Sequence, residues 1–393
     1  MVRAAHVDHP AAEAAAGGLI GSAAGVRDAR VAALRALAID GLARMYDEAR
    51  GLFVFCVRRT AGAVVPEGHS HRYTAISLLG LANESRAVQE QVLRGRSLRD
   101  AAQALVQAAS GISNLGDLSV IAWAGHVCGC DTTPVWAHIA ALRPDVRRHP
   151  TVEVAWTLSA LATDASSRAD GLRDRLADRL CRAFSADVAL FPHILEESSS
   201  TARHVSCFAD FVYPTLALAQ YALLTGSQNA ARCATRSAEA MCERQGAAGQ
   251  WWWHYDCRTG RVLERYPVYA VHQDSMAPMA LFAAADAAGA SFDAPIARGL
   301  DWLLHAPELD ARSLIDDGAR IIWRKVARRE PAKLSRYLQA GLSRVASELP
   351  ASTLDAFFPP TTIDFEDRPY HLGWVLYTWP AARAARWSAG GAL

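Results

Sequence analysis

The sequence predicts an all-α protein, an (α/α)6 toroid in which six buried helices form a ring wrapped by outer helices. Three observations predict it. Alanine dominates the periodic segments, and Val, Ile and Thr rarely alternate as strands require. Six segments open abruptly from a polar or Gly/Pro-rich loop into a small-residue helix that is apolar almost all round. Charged segments with one apolar stripe lie between them, the contrast that separates buried helices from solvated ones.

The elements follow in order. Residues 1–27 read as a leader, with neither the apolar core of a targeting segment nor an 18-residue apolar run. From about Asp28, the spacing of Leu34, Leu37, Leu42 and Met45 predicts a helix. Residues 52–59 suit a short strand or loop edge, and a loop follows to Arg72. The six buried helices are expected to open at Arg72-Tyr73, Gly116-Asp117, Val152-Glu153, Phe211-Val212, Gln273-Asp274 and Arg368-Pro369. Outer helices are expected near 97–109, 172–184, 229–244 and 295–304. Their unequal spacing argues against a solenoid of tight repeats. Residues 313–356 are strongly basic and are expected to add a helical insertion of one or two solvated helices. Within it, Trp323-Arg324-Lys325 reads as a solvated face, or as a contact for an anionic substrate group. The whole of 28–393 reads as one domain.

The 393 residues are 51% hydrophobic and 21% charged, with a net charge of +1. That balance suits a large core and offers no strong field for nucleic acid or an anionic membrane. The eight cysteines show no paired framework, and Cys128-Gly-Cys130 is too tight for the usual zinc or redox spacing. Free thiols point to a reducing, cytoplasmic setting. No cofactor and no metal are expected.

Parallel inner helices gather their N-termini, with free N–H groups and partial positive charge, at one mouth. The polar residues at the six openings include Glu67, Arg72, Asp117, Glu153, Asp210, His272, Gln273, Asp274, Glu366, Asp367, Arg368 and His371. Each carboxylate alone is a serviceable helix cap. Histidines and a triple tryptophan at the same mouth exceed what capping requires. Trp251, Trp252 and Trp253 cannot all bury on one face, and indole faces stack on sugars or stabilise carbocations. His254, Tyr255 and Asp256 either hold the loop or act on a substrate. Tyr266 and Tyr269 place phenols near the next helix. Tyr73, Trp156, Tyr213 and Tyr370 extend the aromatic lining. His272 and Asp274 are the leading acid/base candidates, followed by Asp367, Glu366, His371 and Glu67. A carboxylate acting as an acid needs a raised pKa, which a helix N-terminus opposes.

The segment from Gln245 through Gly249 to Trp251 fits Q-x3-G-x-W and resembles the QW motif of the terpenoid cyclase superfamily. Its setting between an outer and an inner helix is similar as well. The segments opening at His272 and at Asp364 resemble altered forms of the family's Asp-rich motif. The resemblance implies an α/α toroid shared with protein prenyltransferase β subunits. It also implies acid-initiated cyclisation or rearrangement of an isoprenoid. In that reading Asp274 or the Asp364–Asp367 group is the acid, and Tyr266, Tyr269, Trp252 and Trp253 stabilise cations. Arg72 or Arg368 then holds a diphosphate. An intact D-x-D-D is absent, and so is the prenyltransferase zinc pair, because Met276 stands where the cysteine is needed.

Two alternatives remain open. One is a carbohydrate-active (α/α)6 enzyme, a hydrolase, lyase or epimerase, with carboxylates such as Glu67 and Asp274 and tryptophan platforms. The other is a toroid that binds a lipid or a protein. A deep Trp/Tyr cavity favours the isoprenoid, and a groove with paired carboxylates roughly 5–10 Å apart favours glycan cleavage.

Overall fold

The computed structural model describes residues 30–164, 170–196, 204–310, 312–328 and 359–388. It is an α/α toroid. The expected leader at 1–27 and most of the basic insertion lie outside the described residues.

Six helices form the inner ring: α2 (His71–Leu81), α5 (Leu115–Val127), α7 (Thr151–Thr163), α9 (Phe208–Thr225), α11 (Ala277–Ala288) and α13 (Pro369–Thr378). Each packs on the next, and α13 packs back on α2, which closes the ring. Their sides are buried almost all round, as in α5, where every residue from Leu118 to Gly125 is buried. Between α2 and α13 closure depends on glycine. A Cβ on Gly80 would stand 2.2 Å from the carbonyl oxygen of Gly373, so the two backbones meet without side chains.

The outer layer contains α1 (30–45), α4 (Leu98–Ala108), α6 (Thr133–Leu142), α8 (Asp170–Ala183), α10 (Gln228–Glu243), α12 (Asp293–Leu304) and α14 (Ala381–Ser388), with the short α3 (Arg86–Val92) in a connection. These are the amphipathic segments, and their apolar stripes cover the inner ring. No described helix is long and apolar enough to cross a membrane. All eight cysteines are free.

Local chemistry sets the helix starts. Ser70 Oγ accepts from Tyr73 N at 3.2 Å, and Asn114 Oδ1 accepts from Asp117 N at 2.9 Å. Asp210 Oδ2 accepts from Cys207 N at 2.9 Å. Each satisfies a backbone donor that the helix itself leaves open.

Short strands decorate the mouth. β2 (Leu52–Thr60) pairs with β3 (Ala63–His69), so a strand stands where the sequence suggests a loop. β1 (Tyr46–Asp47) flanks β2 on its other edge. β4 (Val205–Cys207), β5 (His254–Asp256) and β6 (Val262–Glu264) form a small sheet ahead of β7 (Val268–Tyr269).

The basic segment departs from expectation. Its described part is not helical but forms β8 (Ile315–Asp316), β9 (Ile321–Ile322) and β10 (Lys325–Ala327). Ile321, Ile322, Trp323 and Val326 are buried, and that apolar content draws the segment onto the fold instead of into solvent. β10 pairs with β7 on one side and with β11 (Thr362–Asp364) on the other. β12 (Glu366–Asp367) pairs with β2. These ladders deliver Arg324, Glu366 and Arg368 to the mouth.

Candidate active site at the helix mouth

A cavity of about 180 Å³ opens among the first turns of five inner helices. Arg72, Tyr73 and Ile76 come from α2, Val152 and Trp156 from α7, and Ala209 and Tyr213 from α9. His272 and Met276 come from the π-helical turn His272–Met276 that precedes α11, and Tyr370 opens α13. Trp253, Tyr269 and Arg324 complete the wall from the loops. A cavity of about 280 Å³ beside β3 is larger but poorer in chemistry. Its one charged lining residue, Arg44, already donates to the carbonyls of Ala319 and Arg320.

The wall interleaves aromatic rings with two guanidinium groups. His272 lies parallel to Trp253, with ring centroids 5.6 Å apart and planes 9° apart, and Phe208 and Tyr269 flank it at 4.5 and 5.1 Å. Trp156 meets Tyr213 edge-on at 5.0 Å, and Tyr73 meets Tyr370 at 4.7 Å. Arg72 lies 5.3 Å above the Trp156 ring, and Arg324 lies 5.2 Å from the Tyr269 ring. Burial among rings pushes the His272 imidazole down to about 3, so it is neutral at ordinary pH. Among the described residues no carboxylate lines the cavity.

Carboxylates stand one layer behind. Glu366 is buried, and Arg58 Nη2 at 2.5 Å, Arg324 Nη1 at 3.0 Å and the Arg368 guanidinium surround it. Burial alone would raise its pKa, but the three guanidinium groups outweigh that and lower it. Arg368 also donates to Tyr73 Oη at 2.7 Å, which orients a phenol of the wall. Asp117 pairs with Arg72, and Asn114 joins Arg72 to Glu153 through hydrogen bonds of 2.8 and 3.0 Å. Each arginine is thereby fixed in direction.

A second polar group is sealed away. His371 Nε2 lies 2.8 and 3.0 Å from the two oxygens of Asp274, and its Nδ1 lies 3.8 Å from Asp367 Oδ1. All three are buried. Burial works against a charged His371, yet Asp274 outweighs it and raises the imidazole pKa. Burial raises the Asp367 carboxyl to about 7. None of the three lines the cavity.

The expected residues therefore divide. His272, Arg72, Tyr73, Trp156, Tyr213, Trp253, Tyr269 and Tyr370 meet at the cavity. Asp274, His371 and Asp367 form the sealed network, and Glu366 and Arg368 stand behind the wall. Glu67 projects from the exposed strand β3 toward Arg58, because the β2–β3 hairpin carries it off the mouth. Trp252 packs edge-on against Tyr266 at 5.7 Å, and Tyr266 Oη donates to Glu308 at 2.6 Å. His254 pairs with Glu264 at 2.5 Å, Asp256 holds Arg258 at 2.8 Å, and Tyr255 is a core ring against Phe211. Gln273 Oε1 accepts from Trp251 N at 3.2 Å, a structural bond. Ile76, Val152, Ala209 and Met276 complete the lining without having been singled out for the site, because they are apolar or small and composition carries no signal for them. Arg324 also lines it, on a strand-bearing segment instead of the expected helix, in line with the second of its two expected roles, a contact for an anionic group.

No family model matches the sequence, and no curated protein does. Solved structures do match. An unsaturated glucuronyl hydrolase specific for heparin superposes with a TM-score of 0.58 at 10% identity, over 92% of this chain and 97% of its own. A cellobiose 2-epimerase from Bacillus thermoamylovorans B4167 gives 0.57 at 10% identity, over 86% and 95%. An ent-copalyl diphosphate synthase from Streptomyces platensis follows at 0.39 and 15% identity, over 84% of this chain and 53% of its own, too distant to weigh. At such identities the likeness is one of fold.

Proposed function

We propose that the protein is a carbohydrate-active enzyme whose cavity takes one sugar unit bearing a carboxylate or similar anion. In this reading it moves a proton on that unit through His272. The observation that carries it is a cavity about one ring in size, with an imidazole among aromatic faces and two directed guanidinium groups, Arg72 and Arg324. Indole and phenol faces stack on the apolar face of a sugar ring. Arginine grips a carboxylate through paired N–H groups. The glucuronyl hydrolase and the cellobiose 2-epimerase, both with TM-scores above 0.5, are by name sugar-processing enzymes, which supports the substrate class.

Among the described residues the wall has no pair of carboxylates such as glycosidic cleavage ordinarily employs. Proton transfer beside a carbonyl, as in epimerisation, isomerisation or elimination, fits a neutral imidazole better. An anionic ligand would itself raise the basicity of His272, because its charge favours the imidazolium. The site would thus be active only when filled.

The isoprenoid reading finds its aromatic wall here but neither acid nor room. Asp274 and Asp367 lie off the cavity, and about 180 Å³ suits a single ring better than a chain of fifteen or more carbons.

Uronates and matched neutral sugars incubated in deuterated water, followed by proton NMR, test the reading. Deuterium entering a uronate beside its carbonyl, and none with His272→Gln, is the expected outcome. Turnover of farnesyl or geranylgeranyl diphosphate, with no binding of any sugar, would overturn it.

A further inference from the structure

We propose that His193, Cys207 and Asp210 form a zinc site at the rim of the aromatic cavity. One ligand atom from each, a ring nitrogen, the thiol sulfur and a carboxylate oxygen, lies within 4.8 Å of the other two. His193 Nδ1 is 3.1 Å from Asp210 Oδ2. A tetrahedral zinc with bonds of about 2.0–2.3 Å holds its ligand atoms roughly 3.3–3.8 Å apart. The three side chains therefore need only small rotations, with no backbone movement.

The backbone fixes all three origins. Cys207 ends β4, pairs with His254 of β5, and caps α9. Asp210 occupies the first turn of α9 and is fully buried. The carbonyl oxygen of His193 accepts from Thr151 N at 2.9 Å, which ties its loop to the start of α7. A capping box at the start of α9 engages both the Cys207 side chain and the Asp210 carboxylate. It does not call for an imidazole converging on the same buried oxygen pair.

The donor set selects the ion. Magnesium and calcium take oxygen ligands, whereas nitrogen, sulfur and oxygen together suit zinc. Three protein ligands leave a fourth position for water or a substrate oxygen, as catalytic zinc sites do. The His193 side chain is 51% exposed, so an ion can reach the cluster. Ala209, between Cys207 and Asp210, lines the cavity, as does Val152 beside Thr151. The cluster and the cavity therefore share the starts of α9 and α7. Sequence spacing gave no warning, because His193 lies on a different loop from the other two and no compact motif links them. The site stands independently of the sugar reading, since metal affinity is measured without substrate.

The test uses the full chain stripped with a chelator and titrated with Co²⁺, then with Zn²⁺. Saturable binding with a thiolate-to-cobalt charge-transfer band, lost on adding zinc, is expected. Cys207→Ser should remove the band. His193→Ala also takes a partner from the buried Asp210 carboxylate, so thermal unfolding of the metal-free variant is recorded to confirm that it is folded. His193→Ala should weaken cobalt binding by at least about 10-fold, the loss that even outer partners of a metal site can cause. The absence of the band in the wild type, or equal affinity in His193→Ala, overturns the proposal.

Discussion

His272 and Asp274 stand two residues apart on one π-helical turn and meet opposite environments. His272 faces the cavity among three rings, with its pKa pushed down to about 3. Asp274 faces inward, gripped by His371 and by Ser275 Oγ at 2.9 Å. Both are buried, so exposure does not separate them. What separates them is whether an ionised partner is already in place. A paired buried charge holds structure together, whereas a neutral imidazole whose Nδ1 meets the Trp251 carbonyl at 3.5 Å leaves Nε2 to a ligand. Two positions apart on a helical turn, side chains point to nearly opposite sides, so one faces inward and the other the cavity.

The largest expected effect breaks the inward half. Asp274→Ala leaves the His371 imidazole buried without its counter-charge, which should cost about 3–5 kcal/mol. Urea unfolding at neutral pH reads this directly. His272→Gln should cost far less. If the two variants lose equal stability, the division between structural and ligand-facing halves fails. A stable but inactive Asp274→Asn enzyme would instead return Asp274 to the chemistry.

A smaller effect sharpens the sealed network through pH. Burial raises Asp367 to about 7, against roughly 3.9 for the unfolded chain. Between those values the folded protein keeps a proton that the unfolded chain has released. This contribution to stability is full below about pH 4, falls as pH rises toward 7, and then stays level. Asp367→Asn has no proton to lose. It should therefore be more stable than the wild type at pH 8 by about 2 kcal/mol, after allowance for its lost attraction to His371. The gap should close near pH 4. Melting temperatures of both proteins across that range check it, and a gap that widens toward low pH would contradict the assignment.

The ring was legible because its signal is contrast. The six expected openings coincide with the starts of α2, α5, α7, α9, α11 and α13 to within a few residues. Each is an apolar helix with no solvated stripe, and such a helix has to be enclosed. The Q-x3-G-x-W segment was equally readable, and its bonds say why. Gln245 Nε2 donates to the carbonyls of Gly249 and Pro295, both at 2.9 Å, and Arg298 Nη2 donates to Gln245 Oε1 at 2.8 Å. Gly249 has φ of 102°, and a Cβ there would stand 2.0 Å from Arg298 O, so only glycine fits. Trp251 is fully buried against Phe208. The motif fastens α10 to α12 and says nothing about substrate.

The site was legible in part. Aromatic residues at helix openings pointed to the mouth, but carboxylate, imidazole and guanidinium groups pair across elements that no spacing connects. Asp274 reaches His371 across 97 positions, and Arg368 reaches Tyr73 across 295. Which of two chemically similar residues faces the cavity depends on those partnerships. The basic segment misled for a related reason. Its charges suggested a solvated helix, while its Ile321, Ile322, Trp323 and Val326 required burial as strand.

The smallest expected effect falls on Arg324. Arg324 lines the cavity, lies over Tyr269, and shares Glu366 with Arg58 and Arg368. Arg324→Gln leaves two guanidinium groups on Glu366, so the fold should hold, with a change in unfolding free energy within about 1 kcal/mol. A carboxylate-bearing ligand loses one of its two candidate cations and should bind about 10-fold more weakly, equivalent to about 1.4 kcal/mol. The matched neutral sugar gives up no charge pairing and should bind as before. Calorimetric titration with the pair separates the two contributions, because stacking on Trp253 and Tyr269 is common to both ligands while the ion pair belongs to one. Equal loss for both would mean that Arg324 acts by holding Tyr269 in place. The cavity would then be an aromatic box without charge selection.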